Sequence, residues 1–324
     1  MNVLMNIIEK VKQDKTIERE DVAEIITLEK DRFHELLFAA SEIRRHFKQN
    51  SVTTCTIVNA KSGMCGEDCA FCAQSAHHRT GAECHPLLPA GEILKHAEAE
   101  EDISRRFSIV TAGRGLSGPD LEEVRKAVSG FKEKGLVQEP CASLGILSEE
   151  DFLDLKKNGL TRYHHNIETS KRFYPNICTT HSYENRVATI LAAKRAGLET
   201  CVGGIFGMGE TWEDRIDFLY ELRELDPDSV PINFLVPISG TPLENMAPIP
   251  LWDAVKIIAM ARFILPEKDI KIGAGRLEIF KDAQHLVFLA GANGMIVGNL
   301  LTIKGRSPED DLRLIDDLGF RIRS

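Results

Sequence analysis

From residue 52 onward, short apolar runs rich in β-branched residues alternate with amphipathic stretches, and the pair repeats eight times. The apolar runs are 53–58, 107–111, 140–144, 163–167, 200–205, 230–235, 270–272 and 295–297. The amphipathic stretches fall at roughly 91–101, 119–134, 149–158, 183–196, 211–224, 250–264, 277–289 and 308–318. A strand–helix alternation of this kind implies parallel pairing, because each parallel connection needs a crossover long enough to hold a helix. Eight such units predict an α/β fold, a (β/α)8 TIM-type barrel, over a doubly wound open sheet. Local punctuation agrees with the helices. Pro119 follows Gly118, Ser148-Glu149-Glu150-Asp151 reads as a capping box, and Gly197 stands where a helix ends.

Residues 1–50 differ in texture. They are highly charged, with apolar residues at helical spacing (Val22, Ile25, Ile26, then Phe33, Leu36, Leu37). They predict an N-terminal helical extension, leaving 51–324 for the barrel and a short C-terminal tail. The charge balance, 40 basic against 49 acidic residues and a net −9, argues against a nucleic-acid-binding face. It leaves room for a small anionic ligand in a local pocket. No apolar run approaches the ~18–20 residues of a membrane span. The first residues lack the basic segment of a secretory signal, so a cytoplasmic protein is expected, with no membrane partner. Structural disulfides are rare there. The eight cysteines, at 55, 65, 69, 72, 84, 141, 178 and 201, therefore read as metal ligands or reactive groups.

Three of them fall in one loop after the first strand, Ser62-Gly-Met-Cys65-Gly-Glu-Asp-Cys69-Ala-Phe-Cys72-Ala-Gln-Ser75, spaced C-x3-C-x2-C. One reading is a zinc site completed by His77 or His78. The other is a [4Fe–4S] cluster with three protein thiolates. Ordinary clusters take four; three leave one iron open for S-adenosylmethionine, which a single electron can cleave to a 5′-deoxyadenosyl radical. The spacing, the loop and Phe71 before the third cysteine resemble the radical S-adenosylmethionine superfamily.

Two glycine motifs read differently. Gly113-Arg-Gly115-Leu-Ser-Gly118 fits G-x-G-x-x-G, but the helix begins only at Pro119, past the third glycine, which favours a plain loop over a dinucleotide turn. Gly203-Gly204-Ile-Phe-Gly207-Met-Gly209-Glu210-Thr211 closes the fifth strand. Glycines allow close backbone approach, so Gly204 and Gly207 are expected near a cofactor.

Several strand-end segments narrow the resemblance: Ala142-Ser-Leu-Gly-Ile-Leu-Ser148, His164-His-Asn-Ile-Glu-Thr169, the glycine segment 203–211, Val230-Pro-Ile-Asn-Phe-Leu-Val236, Gly273-Ala-Gly-Arg276 and Ala290-Gly-Ala-Asn-Gly294. With the cysteine loop, they make the chain resemble the biotin synthase family from about Leu36 to the end. The resemblance implies radical insertion of sulfur into dethiobiotin, the sulfide coming from an auxiliary iron–sulfur cluster inside the barrel. It implies Cys65, Cys69 and Cys72 as ligands of the [4Fe–4S] cluster. It also implies Asn166, Glu168 and Arg186 near S-adenosylmethionine, and Asn233 against the ureido ring of the substrate, which an amide suits because it both donates and accepts. Flavodoxin or ferredoxin as reductant, iron–sulfur assembly proteins and a homodimer are implied in the same way.

The auxiliary site departs from the family. Its usual form holds a [2Fe–2S] cluster with three cysteines and an arginine. Cys141, Cys201 and Arg276 match three of these, whereas the strand-two position aligns with Ser108. Cys55, in the first strand, is the candidate replacement, since barrel interiors collect side chains from several strands. The alternative is that Cys55 is a small buried hydrophobe. A changed ligand set could hold a four-iron auxiliary cluster instead. Cys84 and Cys178 have no evident role. Two rival functions remain at this point: a related radical S-adenosylmethionine enzyme on another small substrate, and a non-catalytic zinc or iron–sulfur protein.

Overall fold

The apolar runs form parallel strands, as the alternation requires. In the structure, a computed structural model that describes residues 3–13 and 15–323, they are β1 (Ser51–Lys61), β2 (Arg106–Thr111), β3 (Glu139–Ser143), β4 (Arg162–His164), β5 (Glu199–Cys201), β6 (Gly204–Phe206), β7 (Ser229–Phe234), β8 (Asp269–Ile272) and β9 (Gly294–Ile296). Each pairs with the next, β5 and β6 being two halves of the fifth barrel strand, and β9 returns to β1 to close the ring. The fold is the expected TIM-type barrel. A short β10 (Arg321–Ile322) adds to the start of β1.

The helices are α1 (Val3–Lys12), α2 (Arg19–Ile26) and α3 (Phe33–Lys48) before the barrel. Around it lie α4 (Ala90–Ala99), α5 (Gly118–Lys134), α6 (Glu149–Lys157), α7 (Tyr183–Arg195), α8 (Trp212–Leu225), α9 (Leu251–Ile264), α10 (Arg276–Phe280), α11 (Leu286–Leu289) and α12 (Pro308–Asp317). Ser148 and Thr211 cap their helices by accepting from Asp151 N and Asp214 N, each 3.2 Å away.

Three expectations on element extent change. The run 277–289 is two short helices, because Lys281 turns to a φ of 47° and Gln284 Nε2 takes its carbonyl at 2.6 Å. The fifth strand breaks at Val202-Gly203, where a Cβ on residue 203 would lie 1.9 Å from the Pro231 carbonyl. The fourth strand ends at His164, after which the chain bends to bring Glu168 to a φ of 69°.

Helix α9 is buried on nearly every side, since α2 and α3 cover the face turned away from the barrel. Its fully buried Arg262 spreads its guanidinium over the carbonyls of Gly291 (2.8 Å), Pro266 (2.8 Å) and Lys268 (3.0 Å) and over Asn293 Oδ1 (2.7 Å). These partners lie at the N-terminal ends of β8 and β9, the face where barrels build stability. The opposite, C-terminal face is where they build active sites.

Candidate active site

The cysteine loop leaves β1 through Gly63, whose φ of 77° suits a residue without a Cβ. Backbone bonds then shape it: Cys65 N to Gln74 O (3.0 Å), Ala76 N to Cys65 O (2.7 Å) and Ala70 N to Ile177 O (2.8 Å). Gln74 Oε1 accepts from Ser62 Oγ at 3.1 Å and Gly63 N at 3.2 Å. Cys65, Cys69 and Cys72 thereby line one cavity of about 170 Å³. Their sulfurs do not gather around a single-ion point; among the described residues the one compact ligand trio is Cys69, Cys178 and His181. A spread of three thiols suits the corners of a four-iron cube rather than one zinc ion. His77 and His78 turn their Nε2 atoms to the carbonyls of Gly66 (3.0 Å) and Cys69 (3.1 Å), so they brace the loop rather than complete a metal site. Cys84 is exposed against Gly63.

Across this cavity stands the end of the fourth barrel strand. Asn166 Oδ1 accepts from Gly203 N at 3.1 Å, and its Nδ2 donates to Glu168 Oε2 at 3.2 Å. Arg186 gives Nη1 to the Asn166 carbonyl (3.0 Å), approaches Glu168 Oε1 at 3.4 Å and gives Nε to the Tyr174 hydroxyl (2.7 Å). Burial raises the Glu168 pKa, with Arg186 opposing it. Each Glu168 oxygen keeps a lone pair beyond these contacts, so the buried carboxylate is suited to accept from hydroxyls. The two glycines behave otherwise than the sequence suggested. Neither Gly204 nor Gly207 is among the residues lining the two main cavities. Gly204 makes room for the Glu168 backbone, and Gly207 N donates to Glu210 Oε1 at 2.8 Å while its open side faces Ile249.

A second cavity of about 350 Å³ fills the barrel interior and shares Phe71, Cys72, Gln74, Asn166 and Glu168 with the first. Cys55, Cys141 and Cys201 all line it, as does Asn233. Asn233 is partly committed already: its Nδ2 donates to the Gly204 carbonyl (3.2 Å) and its Oδ1 accepts from Ala274 N (2.9 Å). Ser108 is the register partner of Cys141 and lines the same cavity. Burial pushes the Cys141 thiol up to about 12, with Cys55 and Cys201 adding to it. Burial also raises Cys55. For Cys201 burial is outweighed by His164, Lys271 and Arg162, which bring the thiol to about 6.

Arg276 is not in this cavity. Its guanidinium is bound to Asp311 (3.0 and 2.7 Å) and to Gln284 Oε1 (2.9 Å), behind α10. It starts a helix instead of ending a strand, so it points away from the barrel. The cations that line the cavity are Lys271, Arg106 and Arg162. Arg162 Nη1 is buried there without a hydrogen-bond partner among the described residues. Alternate barrel strands supply the four-residue layers of such barrels, and here they supply Cys55, Cys141, Cys201 and Lys271. The signal was available: Lys271 is a charge between Ile270 and Ile272 in a strand, on the face opposite both. Three thiols beside Lys271, and beside the one Arg162 nitrogen left open by its ion pair with Glu199, fit an anionic iron–sulfur cluster.

Comparisons with known proteins agree with this geometry. The sequence profile of the Radical SAM superfamily matches residues 61–222, and that of the Biotin and Thiamin Synthesis associated domain matches residues 231–321. The biotin synthase of Pelotomaculum thermopropionicum is 46% identical over 98% of this chain and 98% of its own. That of Clostridium perfringens is 50% identical over 89% of this chain and 90% of its own. Among solved structures, methylornithine synthase superposes with a TM-score of 0.84 at 21% identity, covering 98% of this chain and 97% of that one, a likeness of fold. With half-identical relatives spanning nearly the whole chain, the protein belongs to the biotin synthase family and is a radical S-adenosylmethionine enzyme of sulfur insertion.

Proposed function

We propose that the enzyme converts dethiobiotin to biotin in the larger cavity, with Cys65, Cys69 and Cys72 holding a [4Fe–4S] cluster in the smaller one. The reading is carried by the wall that the two cavities share, with Cys72 on one side and Asn166 and Glu168 between them. When bound, the four-iron cluster and S-adenosylmethionine supply one-electron cleavage to a hydrogen-abstracting radical, and the auxiliary cluster supplies the sulfide. Glu168 accepts from ribose hydroxyls, and Asn166 holds that carboxylate in place. Arg186 neutralises Glu168 and fixes the strand end behind it. The mostly apolar lining, including Ile57, Ile205 and Ile296, excludes water from the reacting carbons. Asn233 presents its remaining amide donor and lone pair to the ureido ring.

Cys55, Cys141 and Cys201 hold the auxiliary cluster, with Lys271 and Arg162 balancing its charge. A [2Fe–2S] or a four-iron centre both suit three thiolates. Flavodoxin or ferredoxin supplies the electron, assembly proteins load the clusters, and the enzyme works as a cytoplasmic homodimer. The test is an anaerobic single turnover of the reconstituted enzyme with S-adenosylmethionine, reductant and dethiobiotin, read by mass spectrometry. Biotin together with 5′-deoxyadenosine is expected. Deoxyadenosine without biotin, from protein retaining its auxiliary iron, would move the reading to another substrate. The Cys55→Ala variant is expected to give deoxyadenosine but no biotin.

A further inference from the structure

Cys178 and His181 have no part in the reaction described above, yet they complete a compact site with Cys69. The three ligand atoms all lie within 4.8 Å of one another, and all three residues are buried. Cys69 Sγ is 3.7 Å from Cys178 Sγ, which is 3.3 Å from His181 Nδ1 and 3.9 Å from Nε2. For bonds of about 2.3 Å to sulfur and ~2.0–2.1 Å to nitrogen, a tetrahedral ion needs edges of about 3.8 Å between sulfurs and ~3.5 Å between sulfur and nitrogen. The Cys69–Cys178 edge (3.7 Å) and the Cys178–Nε2 edge (3.9 Å) come within a few tenths of an ångström of these.

The surroundings are organised for a metal-bound imidazole. Glu67 Oε2 hydrogen-bonds His181 Nδ1 and also accepts from Thr180 Oγ1 at 2.6 Å. A carboxylate behind one ring nitrogen fixes the tautomer and leaves Nε2 to the metal, the usual arrangement behind ligating histidines. Asp68 Oδ1 already accepts from the backbone of Thr179 (2.9 Å) and Thr180 (3.2 Å), which locks the segment.

We propose that the cluster-free chain binds one divalent cation of the zinc, cobalt or ferrous class through Cys69 Sγ, Cys178 Sγ and His181 Nε2. The two thiol protons leave to solvent on binding. Because Cys69 also belongs to the cluster triad, this ion and the four-iron cluster exclude each other. The site is thus a holding place for a single metal before the cluster forms.

The test is a Co2+ titration of the reduced, cluster-free full chain under anaerobic conditions. One equivalent is expected to give tetrahedral d–d bands and thiolate-to-cobalt charge transfer. Cys178→Ser and His181→Gln are each expected to weaken binding about tenfold or more, whereas Cys65→Ser and Cys72→Ser leave it unchanged. Prior loading of the four-iron cluster is expected to remove the site. Binding that survives both Cys178→Ser and His181→Gln, or that is lost in Cys65→Ser, would place the ion in the cysteine loop and overturn the proposal; so would the absence of any tetrahedral band. Zinc K-edge absorption on the unmodified chain counts ligands without a variant: two sulfurs with imidazole nitrogen are expected, and three sulfurs would overturn it.

Discussion

The carbonyl oxygen of Glu168 lies 2.2 Å from where a Cβ on residue 204 would sit, so the two strand ends meet only because that residue is glycine. The same carbonyl accepts from Ile205 N at 2.9 Å, and Glu168 holds a φ of 69°. A left-handed backbone at a glutamate is a strained arrangement that its surroundings must impose. The glycine motif therefore acts at one remove: it seats Glu168, the residue proposed to face the cofactor.

Gly204→Ala tests this directly. The neighbours of the added methyl are backbone atoms of Glu168, at 2.2 to 2.7 Å, which cannot yield as a side chain tip would. Overpacking of this kind costs about 1–3 kcal/mol. The cluster-free chain should melt several degrees lower, and S-adenosylmethionine binding by the reconstituted enzyme, measured by equilibrium dialysis, should weaken. An alanine variant with unchanged melting and binding would show that the contact is not limiting.

Asp269, at the start of β8, should govern part of the acid sensitivity. Burial alone would raise its pKa, but Lys48 at 3.0 Å and Asn293 Nδ2 at 2.9 Å outweigh it and hold the carboxyl at about 2. A depressed carboxylate stabilises the fold above its unfolded pKa of ~4, and that contribution drains away as pH falls from about 4 to 2. The magnitude is on the order of 2 kcal/mol. In urea unfolding of the cluster-free chain, Asp269→Asn should trail the parent by that amount at pH 6, and the gap should shrink at pH 3. A gap independent of pH would mean that the charge is not what matters.

His77 and His78 separate a loop brace from a ligand. Each spends its Nε2 on a carbonyl, Gly66 or Cys69. Replacing either with alanine should cost about 1 kcal/mol of loop stability and leave the iron of the reconstituted [4Fe–4S] cluster in place. Loss of that iron in a folded variant would return the histidines to the ligand set.

Much of this was legible in the sequence where local rules act alone. The strand–helix alternation specifies the barrel, and C-x3-C-x2-C specifies one loop that can surround a cluster. What periodicity could not show depends on which way a strand end bends. The chain bends after His164 and the fifth strand breaks at Gly203, so Gly204 packs on the Glu168 backbone, Gly203 on Pro231 and Gly207 on Ile249. Cys178 looked idle because its partner, Cys69, is 109 residues away in the chain. Arg276 was misplaced because a match to a linear motif does not distinguish a strand end from the first turn of the next helix.

That last distinction yields opposite expectations for two cations five residues apart. Arg276→Met would take from the fully buried Asp311 the guanidinium it binds at 2.7 and 3.0 Å, leaving it Arg306 at 3.7 Å. Removing one partner of a buried pair typically costs ~3–5 kcal/mol, and the more distant Arg306 offsets part of that. The variant should melt much lower, yet while folded it should keep both clusters. Lys271→Met keeps the length of the side chain and removes only its charge from beside Cys55 and Cys201. Its fold should persist while the auxiliary iron is lost, leaving about four irons per chain, those of the three-cysteine cluster. Iron and sulfide analysis beside thermal unfolding decides between them. If Arg276→Met sheds auxiliary iron below its melting point while Lys271→Met retains it, the cation of the sulfur-donor site is Arg276 after all.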